Sequence, residues 1–145
     1  MKMNQYLKDK VKNKKVIGRG GTRIAYDLDD GYVLKVARST KGIKCNMMEV
    51  RLSQYKPIRG YLAEIIDHDR KYRWIKMKKY VRKFPVHSQL YRSKLKEIID
   101  IFFKHGVVPS KGVGDYKKPF APNLRLKNNK EIVVIDYGGF KDERN

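Results

Sequence analysis

The sequence predicts an α+β fold: a five-stranded antiparallel sheet with one inserted helix, followed by a long helix, a loop and a small β-hairpin. Two observations carry this prediction. Short apolar runs separated by glycine-containing or polar turns lie between residues 16 and 81, whereas the longest stretch with helical periodicity lies at residues 88–104. The 145 residues suit one compact domain, and 41% apolar residues are enough to build its core.

The first three strands are expected to be consecutive antiparallel neighbours. Residues 16–17 lead into the glycine-rich bend 18–21, and residues 23–28 then alternate between apolar and polar types. Asp30-Gly31 is typical of a tight hairpin, because such a turn needs a positive φ that glycine adopts without strain. Residues 32–37 supply the third strand.

A helix is expected next, because apolar residues recur at spacings of three and four and Pro57 must end the pattern. Its apolar face consists of Cys45, Met48, Leu52 and Tyr55. Residues 61–66 and 72–81 are strand-like and complete the sheet, and Pro85 closes this half of the chain.

The second half begins with a helix at residues 88–104, which Gly106 is expected to end. Its buried face is predicted to contain Tyr91, Leu95, Ile98, Ile99 and Phe102. Residues 105–123 show no periodicity and are long enough for a functional loop. Residues 124–126 and 131–135 predict a small hairpin.

The charge and cysteine content narrow the class of protein. Lys and Arg number 35 against 15 Asp and Glu, which gives a net charge of +20 and implies an acidic partner. Cys45 is the only cysteine, so an intrachain disulfide is excluded and a reducing compartment is expected. No apolar run is long enough for a signal peptide or a membrane span, so we expect a cytoplasmic protein without a membrane partner.

Polar residues follow the predicted elements in a specific order. Lys35 lies in the third strand, Glu49 follows on the inserted helix, Asn123 precedes the late hairpin and Asp136-Tyr137-Gly138 follows it. Together with the glycine-rich bend, this order resembles the protein-kinase-like superfamily over residues 16–139. The Asp-Tyr-Gly-Gly ending and the small size are most similar to kinase-like proteins of tailed phages.

The resemblance implies an ATP-binding, Mg²⁺-dependent phosphotransferase that acts on a protein, located in the host cytoplasm if the chain is phage-encoded. Lys35 would hold the α- and β-phosphates, Glu49 would orient Lys35, and Asn123 and Asp136 would hold Mg²⁺. The nucleotide would contact Ile17, Gly18, Gly20, Gly21, Ala25, Val33, Lys35 and Tyr80. The chain would divide into a basic N-terminal arm or short polar helix (1–15), an N-lobe-like region (16–84) and a minimal C-lobe-like region (85–145).

The sequence departs from the family pattern in three places. Arg23 lies where the third glycine of the Gly-rich loop belongs. The candidate catalytic base, Asp115, precedes Asn123 by eight residues instead of five, and serves only if the loop bulges. Seven residues follow Gly138, so we expect neither an activation segment nor the helices on which kinases dock protein substrates.

Two other function classes stay open. Eight basic residues interleaved with aromatic residues lie between positions 70 and 83, with no acidic residue among them, and this pattern favours a surface that binds nucleic acid: Arg70, Lys71, Arg73, Lys76, Lys78, Lys79, Arg82 and Lys83. The alternative function is therefore a catalytically inactive kinase-like scaffold, a pseudokinase, whose basic surface binds nucleic acid or inhibits an acidic host protein.

Overall fold

The computed structural model describes residues 2–144 and has α+β architecture. Five strands form one antiparallel sheet in the order β1-β2-β3-β5-β4. Strand β8 pairs with both β6 and β9, and β7 pairs with β10. In chain order the elements are α1 (Gln5–Val11), β1 (Lys15–Arg19), β2 (Arg23–Asp27), β3 (Tyr32–Ala37), α2 (Thr40–Ser53), α3 (Lys56–Arg59), β4 (Ile65–His68), β5 (Trp74–Lys78), β6 (Arg82–Lys83), α4 (Gln89–Lys104), β7 (Val107–Val108), a 3₁₀ turn (Ala121–Asn123), β8 (Leu124–Leu126), β9 (Ile132–Val134) and β10 (Lys141–Asp142).

Local signals explain the hairpin between β2 and β3. Gly31 has a φ of +91°, and the Asp30 carboxylate accepts a hydrogen bond from the backbone N–H of Tyr32 at 3.1 Å. The antiparallel arrangement that the Asp30-Gly31 pair predicts is therefore observed. Its register places Ala25 opposite Lys35.

Strand β4 begins four residues later than the sequence predicts. The backbone before it pairs with β9 instead: Ala63 N–H donates to the Val134 carbonyl at 2.9 Å, and Val134 N–H donates to the Tyr61 carbonyl at 2.8 Å. This pairing ties the five-stranded sheet to the hairpin β8–β9. It depends on residues about seventy positions apart, which no local pattern reveals.

The larger hydrophobic core lies between the sheet, α2, α4 and the hairpin. Ile75, Phe102, Leu124 and Tyr137 are each fully buried there. Helix α4 directs one face into this core, with Leu95, Ile98 and Phe102 buried. The Ser88 hydroxyl caps its first turn and Gly106, with a φ of +77°, follows its end, so the predicted helix is observed within one residue.

A second, smaller core lies against α1. Leu7 is 2% exposed and packs with Tyr26, Leu34, Val36 and Trp74. The Asn4 side chain caps α1 by accepting the Leu7 N–H at 2.9 Å. Of the two predictions for the N-terminal segment, the short helix is observed, and its apolar side is packed instead of solvated.

The segment between α4 and β8 contains β7, an exposed turn at residues 114–118, and the 3₁₀ turn that ends at Asn123. Pairing of β7 with β10 brings this segment beside the residues that follow Asp136. Within residues 2–144, no helix has both the length and the apolar character that crossing a membrane requires.

Candidate functional site

A cavity of about 950 Å³ lies between the glycine-rich bend, β3, the connection from β5 to β6, and the region around β8. It brings together most of the residues that the sequence singles out for a nucleotide: Ile17, Gly18, Gly20, Ala25, Val33, Lys35 and Tyr80. Asn123 and Asp136 lie on the same cavity. Gly21 and Asp115 do not line it, and Glu49 lies buried behind Lys35.

Strand β3 and helix α2 place Lys35 and Glu49 in direct contact. The Lys35 ammonium lies 3.1 Å and 3.2 Å from the two Glu49 carboxylate oxygens and donates to the Ile135 carbonyl at 2.7 Å. Lys35 is 8% exposed and Glu49 is fully buried. A buried charge of either sign is costly unless it is paired, so each of these side chains fixes the position of the other.

Arg23 joins this pair to Asp136. Its Nη1 donates to Glu49 Oε1 at 2.7 Å and to Asn46 Oδ1 at 3.0 Å. Its Nη2 donates to Glu49 Oε2 at 3.1 Å and to Asp136 Oδ1 at 2.9 Å. The four charged groups therefore form one cluster of two cations and two carboxylates, which we call the Arg23 cluster: Arg23, Lys35, Glu49 and Asp136.

In the sequence alone, Arg23 stands out only as a departure from the pattern of the Gly-rich loop. One signal was present: Arg23 shares its side of β2 with Ala25, which the sequence already assigned to the cavity, because side chains alternate along a strand. The contact with Asp136 spans 113 positions of the chain and had no local signal.

The pKa values within the cluster follow from burial and pairing. Burial raises the pKa of Glu49, but the adjacent Arg23 and Lys35 charges and the Tyr137 N–H outweigh it and lower that pKa to about 2. Burial lowers the pKa of Lys35, which Arg23 lowers further and Glu49 only partly restores. Burial also opposes the charge on Arg23, yet Glu49 and Asp136 raise its pKa overall. Glu49 is therefore ionised at neutral pH.

Asp136 and Asn123 present oxygen atoms to the same cavity. The Asp136 side chain is half exposed, and Arg23 occupies one of its oxygens. The Asn123 amide nitrogen donates to the Gly112 carbonyl at 2.8 Å, its amide oxygen accepts no hydrogen bond within the described residues, and Asn123 lines the cavity. The Ile135 N–H donates to the Asn123 carbonyl at 2.9 Å, and this bond joins the two segments.

One carboxylate oxygen of Asp136 and the amide oxygen of Asn123 are too few to hold a hard cation such as Mg²⁺ unless a bound ligand supplies further oxygens. Within residues 2–144, no group of three or more His, Cys, Asp or Glu side chains could hold a metal ion. Mg²⁺ is commonly held by one or two carboxylates together with substrate phosphates and water. One carboxylate oxygen and one amide oxygen fit that arrangement.

A second cavity of about 560 Å³ meets the first at Asn123 and Asp136. Ser110, Lys111 and Lys141 also line it. Sequence reasoning did not single out these three residues, because the loop that carries two of them has no periodicity.

Asp115, the candidate base, lies apart from both cavities. It is exposed in the turn at residues 114–118, where its carboxylate accepts the Lys118 N–H at 2.8 Å. The structure therefore does not bring Asp115 together with Asn123 and Asp136.

Three of the eight basic residues between positions 70 and 83 are paired with carboxylates. Arg73 pairs with Asp69 at 2.6 Å, Lys76 with Asp30 at 3.6 Å and Lys79 with Asp27 at 2.5 Å. Although no acidic residue lies among the eight, carboxylates outside the run compensate these three: Asp69 precedes the run, and the hairpin of β2 and β3 contributes the other two aspartates. The other five are exposed, and no carboxylate within residues 2–144 lies within 4 Å of them: Arg70, Lys71, Lys78, Arg82 and Lys83.

Comparison of the chain with protein-family models finds no match, and comparison with curated proteins also finds none.

Proposed function

We propose that this protein is a kinase-like, ATP-binding protein whose larger cavity holds Mg²⁺-ATP. The observation that carries the proposal is the Arg23 cluster, in which a buried lysine, anchored by a buried glutamate, lies beside an aspartate on one cavity. Proteins that bind nucleoside triphosphates need cations for the phosphates and oxygen ligands for the metal, and both are present here.

Each part of the cavity has a role in this proposal. Lys35 holds the α- and β-phosphates, and Glu49 fixes Lys35. The free oxygen of Asp136 and the amide oxygen of Asn123 hold Mg²⁺, which neutralises phosphate charge when it is bound. Ile17, Ala25 and Val33 line the same cavity and supply apolar contacts to the base.

Phosphotransfer to a protein is the activity that follows from this assignment. The second cavity would admit the acceptor, because it also reaches Asp136 and carries Lys111 and Lys141. The exposed position of Asp115 supports no role for it as the base in this arrangement. Nucleotide binding is therefore the part of the proposal that the geometry supports best.

The test is the melting temperature of the protein with and without Mg²⁺-ATP. A ligand at about 100 times its Kd stabilises the folded state by about 2.7 kcal/mol, so we expect a clear upward shift. Asp136→Asn should abolish the shift, because it removes the charge that faces Mg²⁺. Asp100→Asn is the matched control, because Asp100 is exposed on α4 and remote from the cavity.

An unchanged melting temperature at millimolar Mg²⁺-ATP would contradict the proposal. A shift that survives in Asp136→Asn would place the nucleotide elsewhere on the molecule. Transfer itself is measured by the label that a γ-³²P-ATP incubation leaves on an acceptor protein.

A second candidate function is the inactive scaffold that binds nucleic acid. Five exposed, unpaired basic residues in one stretch of the described chain favour it. Such binding weakens steeply with salt, and the slope falls when phosphate-contacting lysines are neutralised. A salt-insensitive affinity for single-stranded DNA would exclude this candidate.

A further inference from the structure

Two cations that line the larger cavity lie opposite each other on strands β6 and β8. Lys83 on β6 and Arg125 on β8 are directly opposite in the antiparallel pair, and both line the cavity. Side chains in such positions start about 5 Å apart, and like charges there destabilise the pair. Lys83 is exposed, so water and salt screen part of this repulsion, and a bound anion would remove the rest.

The protein itself does not offset it. Among residues 2–144, no carboxylate forms an ion pair with either side chain, although Arg23 and Lys35 in the same cavity both have one. Seven basic side chains and a single acidic one line the cavity as a whole. The acidic one, Asp136, already contacts Arg23, and Lys79 pairs with Asp27, so Lys83 and Arg125 belong with Arg19 and Lys78 to the lining cations that no carboxylate of the described chain pairs.

Arg125 is held in position for a ligand. Its Nη1 donates to the carbonyls of Leu124 at 2.8 Å, Ala121 at 3.2 Å and Pro122 at 3.3 Å. These are the only hydrogen bonds of its guanidinium within the described chain, so Nε and Nη2 are left to donate elsewhere. A fixed guanidinium with two spare donors is suited to a phosphate or carboxylate.

We propose that Lys83 and Arg125 form a second anion subsite, which takes a phosphate carried on the ribose of the bound nucleotide. The inference rests on the proposed function, because it assumes that the 5′-phosphates lie at Lys35. The 2′- and 3′-oxygens of ribose lie on the edge of the sugar away from the 5′-oxygen. A phosphate on either of them therefore lies apart from the 5′-phosphates at Lys35, and the facing cations on β6 and β8 of the same cavity are its counter-charges.

The experiment is a set of calorimetric titrations that differ by one phosphate. Adenosine 5′-monophosphate is compared with adenosine 3′,5′-bisphosphate and adenosine 2′,5′-bisphosphate. Two charge-assisted contacts should make at least one bisphosphate bind about tenfold more tightly than the monophosphate. The isomer that binds more tightly than the monophosphate identifies which ribose oxygen carries the phosphate.

Variants test whether these residues cause the gain. Lys83→Gln should reduce the ratio of bisphosphate to monophosphate affinity at least several-fold, and Arg125→Gln should do the same. Arg82→Gln is the matched control: it removes the same charge from the same strand, but Arg82 lies outside the cavity lining. The ratio of bisphosphate to monophosphate affinity in Arg82→Gln should equal that of the unmodified protein.

Three results would overturn the subsite. Equal affinities for the monophosphate and both bisphosphates would show that no ribose phosphate is recognised. An equal fall in the ratio for Lys83→Gln and Arg82→Gln would show general electrostatic attraction only. Displacement of the monophosphate by a hexaglutamate peptide, with no gain for the bisphosphates, would assign the cations to an acidic peptide. Failure of all three nucleotides to bind while Mg²⁺-ATP still raises the melting temperature would overturn the subsite alone. The same failure together with an unchanged melting temperature in Mg²⁺-ATP would remove the proposed function, and this inference with it.

Discussion

Replacing Glu49 by Gln keeps the size of the side chain and removes the charge at the centre of the Arg23 cluster. In the native protein this carboxylate accepts hydrogen bonds from Arg23, Lys35 and the Tyr137 N–H. Glu49 is fully buried, and the Arg23 and Lys35 side chains are each 10% exposed. The variant therefore leaves two buried cations close together with only Asp136, which is half exposed, as a counter-charge.

The size of the effect follows from the loss of a buried counter-charge. Removing one partner of a buried ion pair destabilises a protein by about 3–5 kcal/mol. The pKa of Glu49, lowered to about 2 from its ordinary 4.5, agrees in direction, because the cluster favours the ionised form. We therefore expect Glu49→Gln to lower the free energy of unfolding by about 3 kcal/mol and the melting temperature by about 10 °C.

Urea denaturation followed by tryptophan fluorescence measures this loss. Trp74 is the only tryptophan and is 7% exposed, so its emission reports unfolding. Glu97→Gln is the matched control, because Glu97 is exposed on α4 and should change stability by less than about 0.5 kcal/mol. A loss below about 1 kcal/mol for Glu49→Gln would refute the view that its charge anchors the cluster.

The lowered pKa of Glu49 predicts that the stability of the protein depends on pH. Because the folded state lowers the pKa of Glu49, its stabilisation is complete above the ordinary pKa of 4.5 and is lost as the pH falls toward about 2. The difference in unfolding free energy between the native protein and Glu49→Gln should therefore shrink across this range. A difference that stays constant from neutral pH down to pH 2 would contradict the assignment.

Two further substitutions test the packing around the site. Gly42→Ala should destabilise the protein by about 2 kcal/mol or more in the same urea assay, because a Cβ at Gly42 would overlap the Thr22 carbonyl. Gly21→Ala is the control and should be close to neutral, because a Cβ at Gly21 has open space. Tyr137→Phe should cost about 1–2 kcal/mol, because it leaves the buried Ala63 carbonyl without the hydroxyl that donates to it at 2.7 Å; an unchanged urea midpoint would show that another donor replaces it.

The parts of the fold that the sequence predicts well are those with local signals. The Asp30-Gly31 turn carries its own conformational preference, and α4 carries both an apolar stripe and a Ser88 cap. The predicted strand at residues 61–66 fails because its first half pairs with β9, and long-range pairing leaves no trace in a short window. Packing of Leu7 against β2 and β3 is missed for the same reason.

The candidate site likewise has parts that the sequence predicts and parts that only the structure reveals. The order of Lys35, Glu49, Asn123 and Asp136 along the chain is visible in the sequence through a family resemblance, and the structure brings them to one place. The bridging role of Arg23 depends on the distance from β2 to Asp136, and the separation of Asp115 depends on the path of an irregular loop. The ion pair between Asp27 at the end of β2 and Lys79 just after β5 is likewise visible only in the structure, since the two residues are far apart in the chain.

The most direct test of the central claim is the position of a bound metal-nucleotide complex. Mn²⁺-ATP broadens the NMR signals of nearby nuclei, so amide spectra recorded with and without it locate the metal. We expect selective broadening at Asn123 and Tyr137, whose backbones flank the oxygens assigned to the metal. Broadening confined to the exposed basic turn around Arg70, or no selective broadening at all, would contradict the account.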